Sequence, residues 1–416
     1  MKKWMSLLLV ATMTMSLLAG CAGSSTESSG STDTTAETET ADATETADTA
    51  EAETTDTASS DETFKIGGIG PVTGGAAVYG IAVKNATELA IKEINAAGGM
   101  NGYQVEFNFQ DDELDNEKSV NAYNTLKDWG MNILVGTVTS GCCIAVAAET
   151  KNDNMFQITP SGSSVDIVNG NDNVFQVCFT DPNQGVGAAQ YIGENSLATK
   201  VAVIYDSSDV YSSGIYTKFA EEAANQNFEI VAAEAFTADN KTDFSVQLSK
   251  AQEAGADLVF LPIYYTEASL ILAQANAMGY DPKFFGCDGL DGILGVENFD
   301  ASLAEDVMLL TPFAADAQDD ATKNFVSAYE AAYGETPNQF AADAYDAVYI
   351  VKAAIEKSGA TPADGVSGIC DKLKTAMTEI TYDGLTGSGM SWSSDGTVNK
   401  SPKAMKIMNG EYSLIQ

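Results

Sequence analysis

Apolar residues along this chain fall into short runs separated by helical patterns. "FKIGGIG" (64–70) is a continuous apolar and glycine run, the pattern of a strand buried on both faces. "GPVTGGAAVYG" (70–80) reads as a glycine-rich loop. Val83, Ala86, Ala90 and Ile94 then recur at spacings of three and four, which predicts a helix over 81–99 ended by Gly98 and Gly99. "YQVEFNF" (103–109) alternates as a strand, and "DDELDNEKSVNAYNTLKDWG" contains the next helix. "NILVG", "MFQIT" (155–159) and "NVFQVCF" (173–179) read as strands, with a helix after the first. The rhythm continues with strands at 200–206, 228–236, 256–263 and 283–286, each pair separated by a helical pattern. After "VMLLTPF" (307–313) come two helices near 318–333 and 338–358, then short strands including "AMKIMNGEY" (404–412). Regular alternation of strand and helix predicts parallel sheets flanked by helices. A length of 416 residues exceeds one ordinary domain, so two α/β lobes are expected.

The N-terminus stands outside this rhythm. "MKK" precedes the apolar stretch "WMSLLLVATMTMSLLAG", and "LLAGC" closes it at Cys21, the form of a secretory signal ending in small residues. It resembles a bacterial lipobox, so residues 1–20 are expected to be a signal peptide and Cys21 to carry a lipid. Residues up to 63 are almost all Ser, Thr, Ala, Asp and Glu, with 12 acidic residues over 22–63. Such a segment cannot bury enough apolar surface to offset its ordering entropy, so 21–63 is expected to be a disordered acidic tether. No later apolar run reaches the roughly 20 residues that span a bilayer.

Composition narrows the chemistry. The formal net charge is −38, and the chain contains neither histidine nor arginine. Nucleic acid, which needs a basic surface, is excluded as a partner. So is every catalytic scheme or metal site built on histidine. Beyond Cys21, Cys142, Cys143, Cys178, Cys287 and Cys370 match no disulfide framework and no zinc pattern. Adjacent Cys142 and Cys143 read as small buried residues at the start of a helix.

"GTVTSGCC" (136–143) ends a strand in a glycine and small polar residues, where α/β proteins hold ligands. A phosphate cradle fails, because Cys142 and Cys143 stand where Lys and Ser/Thr are needed. A dinucleotide fingerprint fails at "GGIGPVTG", where Thr73 takes the third glycine's place. A serine or cysteine nucleophile has no histidine base, which leaves an exported hydrolase as the weaker alternative. Binding remains. Ser140 and a helix N-terminus would direct a hydroxyl and backbone N–H groups at one spot, which suits a carboxylate. The other reading, that Ser140 only caps its helix, stays open.

At this point the chain resembles a known family, the extracytoplasmic solute-binding proteins of ABC importers of the branched-chain amino acid type, typified by the leucine/isoleucine/valine-binding protein. The resemblance covers 64–416 and is carried by "IGPVTGGAAVYG", "AIKEINAAGGMNG", "ILVGTVTSG", "ITPSGSS", "TDPNQG" and "GCDGLDG" in that order. It implies a two-lobed periplasmic-binding-protein fold of type I, with two parallel-sheet α/β lobes joined by three hinge crossings. Lobe 1 would hold 64–181 with about 313–385, and lobe 2 would hold 182–312 with about 386–416. Ser140 matches the family serine that receives a ligand α-carboxylate, and Ser163 matches the hydroxyl of the next loop, helped by the backbone of Ser161 and Gly162. Asp288 matches the acid that pairs with an α-ammonium. Tyr79, Tyr211 and Tyr264 match aromatics that wall the side chain, with Tyr264 favoured over Tyr265. Asp181 matches a residue at the first crossing. Departures are Gln176 where the family often has arginine, Asp288 where it often has the longer glutamate, and Cys142 and Cys143 in place of small hydroxyl residues.

The resemblance further implies a receptor, not an enzyme, with no cofactor. It would be a monomer that captures a neutral or apolar amino acid by hinge closure. It would then dock on an ABC permease from the outer face of the cytoplasmic membrane, touching the membrane only through its lipid. A non-amino-acid solute such as an amide, urea or aromatic acid is the alternative ligand.

Overall fold

In the computed structural model the described residues are 62–415. The expected signal segment 1–20, Cys21 and all but the last two residues of the tether 21–63 lie outside them. Thr63, expected in the tether, instead opens the first strand, because its backbone pairs with Gln104.

Two sheets organise the chain. The first contains β1 (Thr63–Gly70), β2 (Gln104–Asp111), β3 (Ile133–Gly136), β4 (Phe156–Thr159) and β5 (Val174–Gln176). Their order is β2-β1-β3-β4-β5, and every pair is parallel. The connections are α1 (Ala77–Ala96), α2 (Asn116–Trp129) and α3 (Ser140–Asp153). The four residues of β3 and of β4 are buried throughout, which is why their sequences are continuous runs and do not alternate.

The second sheet contains β6 (Lys200–Asp206), β7 (Glu229–Phe236), β8 (Leu258–Leu261), β9 (Lys283–Gly286), β10 (Met308–Thr311), β11 (Lys403–Met408) and β12 (Glu411–Leu414). Its order is β12-β11-β10-β9-β8-β6-β7. The pairs from β7 to β10 are parallel, and β11 and β12 add an antiparallel edge. The helices α4 (Asp181–Glu194), α5 (Val210–Ala223), α6 (Ser245–Glu253) and α7 (Tyr265–Met278) belong to this part of the chain. Further on come α8 (Asp320–Tyr333), α9 (Gln339–Ser358) and α10 (Gly365–Met377). Among the described residues no helix is long and apolar enough to cross a membrane.

Each sheet has its own core. Phe64, Ile133, Phe156 and Phe175 of the first pack with Val348 and Leu373 from α9 and α10. Phe260 at the centre of the second stacks on Phe219 of α5 with ring centroids 4.1 Å apart. Burying one such ring contributes roughly 1.5–3 kcal/mol.

Two boundaries differ from the expectations. α1 begins at Ala77, not 81, so part of the glycine-rich stretch is helix and Tyr79 sits in its first turn. Gly80 is the reason. A Cβ there would lie 1.9 Å from the Pro71 carbonyl oxygen, so glycine is what lets the helix start against Pro71. The second difference concerns the last crossing, expected near 385. Met390, Trp392 and Val398 instead lie in the core of the first sheet. Trp392 Nε1 donates to Gln176 O at 2.8 Å, and Gln176 N donates to Gly396 O at 2.9 Å. The segment covers the otherwise open edge of β5, and only β11 and β12 join the second sheet.

The chain therefore passes between the sheets after β5, after β10 and beyond Lys400. Lys400 is buried at this junction. Its ammonium donates to Asp343 Oδ1 of α9 at 2.6 Å, Val177 O at 2.9 Å and Thr386 Oγ1 at 2.5 Å. One cation thus ties the first crossing to the third.

Candidate functional site

The carboxyl ends of the parallel strands carry the loops where a ligand is expected. After β3 the chain turns through Val138 and Thr139 into α3. Ser140 is the first residue of that helix, and Thr139, not Ser140, occupies the cap position. The Ser140 hydroxyl accepts instead from the backbone N–H groups of Ser163 and Ser164, both at 3.2 Å. Its hydroxyl is therefore held by the neighbouring strand-end loop and does not cap its own helix. After β4, Ser161 Oγ donates to Val138 O at 2.7 Å, and Gly162 N donates to Thr159 Oγ1 at 2.8 Å. Gln176, in place of the arginine, donates to Gly162 O at 2.8 Å and Ser164 O at 3.0 Å, which fixes this loop without a charge.

The second sheet faces these loops with an acid, Asp288, and two aromatic rings, Tyr211 and Tyr264, and the first side adds Tyr79 and Phe340. Asp288 follows β9 and is buried. Its Oδ1 accepts from Tyr211 Oη at 2.6 Å, and Gly289 N donates to the same phenol oxygen at 2.9 Å. The Asp288 amide donates to Gln184 Oε1 at 3.1 Å, and its carbonyl accepts from Gln339 Nε2 at 2.9 Å. Tyr211 and Tyr264 stack with centroids 5.1 Å apart. Tyr79, from α1, stands edge-on to Tyr264 and lies against Phe340 of α9 at 4.1 Å.

Ser140, Ser161, Tyr79, Tyr211, Tyr264 and Asp288 line one small cavity. Gly162, Ser163 and Asp181 do not reach its wall; they lie immediately behind it. Asp181 N donates to Ser163 O at 2.9 Å. The Ser163 hydroxyl and both Asp181 carboxylate oxygens are buried without hydrogen-bond partners among the described residues. Tyr264 lines the cavity. Tyr265 packs behind Tyr79, its hydroxyl accepting from Val78 N at 3.2 Å. Sequence reasoning missed Phe340, Val138, Thr139 and Gly289 on the wall. Phe340 was hidden because it opens a helix far along the chain, after the second crossing. An aromatic two residues after that helix's Asn338 cap was the available signal.

Burial decides the electrostatics. It pushes the Asp288 carboxyl up to about 7, against the lowering effect of Tyr211 and Gln184, with Asp343 adding repulsion. It drives Asp181 well above the carboxylate range, further raised by Asp288. Neither acid is in an ion pair among the described residues, and a buried carboxylate without a cation is costly. The arrangement therefore favours an incoming cationic group at Asp288. The described cysteines are free and buried, and burial raises the Cys142 thiol to about 12. At that value it stays a thiol, which agrees with a packing role.

The two sides touch across the cleft. Tyr79 Oη donates to Gly289 O at 2.5 Å, and Thr266 Oγ1 donates to Gly75 O at 2.6 Å. Acid on one side, hydroxyls on the other and aromatic walls between can hold a small zwitterion with an apolar side chain. A larger cavity, of about 570 Å³, lies elsewhere between the sheets, but it lacks this convergence of opposite polar chemistry.

Comparison with known proteins follows the same lines. A family model described as periplasmic binding protein matches residues 63–411. A leucine-, isoleucine-, valine-, threonine- and alanine-binding protein of Pseudomonas aeruginosa is 30% identical over 330 residues, covering 79% of this chain and 85% of that protein. The crystal structure of LivJ, the branched-chain amino acid transporter substrate-binding protein of Streptococcus pneumoniae, in complex with isoleucine, is 32% identical with a TM-score of 0.77. It covers 85% of this chain and 98% of its own. A solute-binding protein of an ABC transporter from R. palustris, in complex with benzoate, shares the fold at 19% identity with a TM-score of 0.75, covering 85% and 95% of the two chains.

Proposed function

Since the chain belongs to the periplasmic binding protein family, a family of extracytoplasmic receptors and not of enzymes, we propose that it captures a neutral or apolar amino acid for an ABC importer. The observation that carries this reading is Asp288 facing Ser140 and Ser161 across a cavity walled by Tyr79, Tyr211, Tyr264 and Phe340. Asp288 would take the α-ammonium, with Tyr211 holding the carboxylate in place. Ser140, through its hydroxyl, and Ser161 would take the α-carboxylate at the wall, while Gly162 and Ser163 hold them in place from behind it. The aromatic rings would exclude water around the side chain. They offer no cation to a second carboxylate, which disfavours acidic amino acids.

Binding proceeds by capture on the serine-bearing side, then approach of the side that carries Asp288, Tyr211 and Tyr264. Tyr79 Oη to Gly289 O is a contact that only the approached form can make. A ligand shifts this equilibrium only by its preference for that form. Asp181, at the first crossing, would act from behind Ser163. The lipobox-like "LLAGC" supports a lipid on Cys21 and a site of action at the outer face of the cytoplasmic membrane. A membrane permease is the partner, and the receptor works as a monomer.

A thermal-shift screen of the full chain against amino acids, amides and aromatic acids tests the reading. Ligand that binds only the folded state raises the melting temperature by mass action. A shift with aliphatic amino acids is expected. A shift with an aromatic acid alone would overturn the ammonium role of Asp288.

A further inference from the structure

The cavity of about 570 Å³ backs onto the proposed amino acid site. Val78 stands on its wall one residue from Tyr79, and Gln339 stands on it one residue from Phe340. Both sides of the cleft contribute: Val78 and Val326 from α1 and α8, Phe313 after β10, and Met405 from β11. Its charged lining is of one sign. Asp291, Asp316, Glu330, Glu335 and Glu411 border it, and no lysine does. None of these five acids forms an ion pair among the described residues, although most of the protein's lysines are paired to other acids.

Asp291 differs from the other four. They are exposed at the rim, whereas Asp291 is only 5% exposed. Its Oδ2 accepts from Gln339 N at 2.9 Å, but Oδ1 has no hydrogen-bond partner among the described residues. Tyr412, beside it, accepts from Gly292 N at 2.9 Å, and against the raising effect of burial its hydroxyl lowers the pKa of the Asp291 carboxyl, but it supplies no positive charge. A buried, unpaired carboxylate at the base, apolar walls above it and acids at the rim match a linear aliphatic diamine. We infer that this cavity is a second ligand site, for an aliphatic diamine: one ammonium on Asp291, the methylene chain along Val78, Phe313, Val326 and Met405, and the other ammonium at the acidic rim.

The site is coupled to the first. Gln339 joins Asp291 through its amide and Asp288 through its side chain. Because the cavity is built from both sides of the cleft, a diamine within it favours the approached form and tightens amino acid binding, and the amino acid tightens diamine binding by the same factor.

The test is calorimetry on the full chain with 1,5-diaminopentane as probe, at constant ionic strength, with 1-aminopentane and heptanedioate as controls. Binding at one site is expected, weaker for the monoamine and absent for the dicarboxylate. Asp291→Asn should weaken it by about tenfold or more. Ile81→Trp, a half-exposed position on the cavity wall, should block it and leaves a readout if Asp291→Asn does not fold. No diamine binding, or binding unchanged in Ile81→Trp, overturns the inference. Because the diamine is titrated directly, that failure is separate from any failure of the amino acid reading.

Discussion

Replacing Asp288 by asparagine keeps the side chain's size and its ability to accept from Tyr211, but removes the charge. Two effects of opposite sign follow. In the folded chain burial holds the Asp288 carboxyl at about 7, against about 3.8 in a free carboxylate. A group whose folded pKa is raised contributes fully to stability below the lower value and loses that contribution as pH climbs through the higher one. The cost of the ionised form above pH 7 is thus roughly 4 kcal/mol at 1.36 kcal/mol per unit, an upper bound that opening of the cleft relieves. Without ligand, Asp288→Asn should therefore raise the melting temperature at pH 8 and change it little at pH 4. With ligand the order should reverse, because in the proposed binding mode the carboxylate pairs with the α-ammonium in the wild type alone. Loss of one charge-assisted hydrogen bond costs about 1.5–3 kcal/mol, or roughly 10- to 150-fold in affinity. Thermal melts at the two pH values and calorimetric titration with leucine measure both. Unchanged affinity, or a variant less stable than wild type at pH 8 without ligand, would refute the reasoning.

Other expected outcomes rest on the same geometry. Amino acid affinity should rise with pH between about 5 and 7 by at most tenfold per unit, as Asp288 ionises beside Tyr211, Gln184, Asp181 and Asp343, and Asp288→Asn should flatten the profile in calorimetry. Ser140→Ala strips the acceptor from the amides of Ser163 and Ser164, so urea unfolding should show a loss of about 1–3 kcal/mol alongside weaker binding. Lys400→Met leaves Asp343 buried without its cation and should cost about 3–5 kcal/mol, with partial recovery in the Lys400→Met/Asp343→Ala pair; a loss below about 1 kcal/mol would contradict the hinge role.

The fold was largely legible because buried parallel strands and their helices print strong local periodicities, as at β3, β4 and α1. What was not legible depended on partners distant in sequence. The start of α1 was disguised by Gly80, whose purpose appears only once Pro71 is beside it. The segment around Trp392 carries no strand pattern, and its attachment to β5 rests on hydrogen bonds more than 200 residues apart in the chain. Within the site, residue types and family resemblance placed the six cavity-lining side chains together. They did not separate these from Ser163 and Asp181, which lie one layer behind, and they missed Phe340. A hydroxyl's orientation is set by packing, so Ser140 could not be told from a helix cap until the amides of the neighbouring loop were seen pointing at it.

The central claim is that this cavity reads an α-ammonium and an α-carboxylate together. Calorimetric titration of the full chain with leucine, beside its analogues lacking one group (3-methylbutylamine and 4-methylpentanoate), tests it most directly. The account predicts stoichiometric binding of leucine or a close aliphatic amino acid, and losses of at least about tenfold for each analogue. Tight binding of 4-methylpentanoate or benzoate, with no α-amino acid bound, would contradict it.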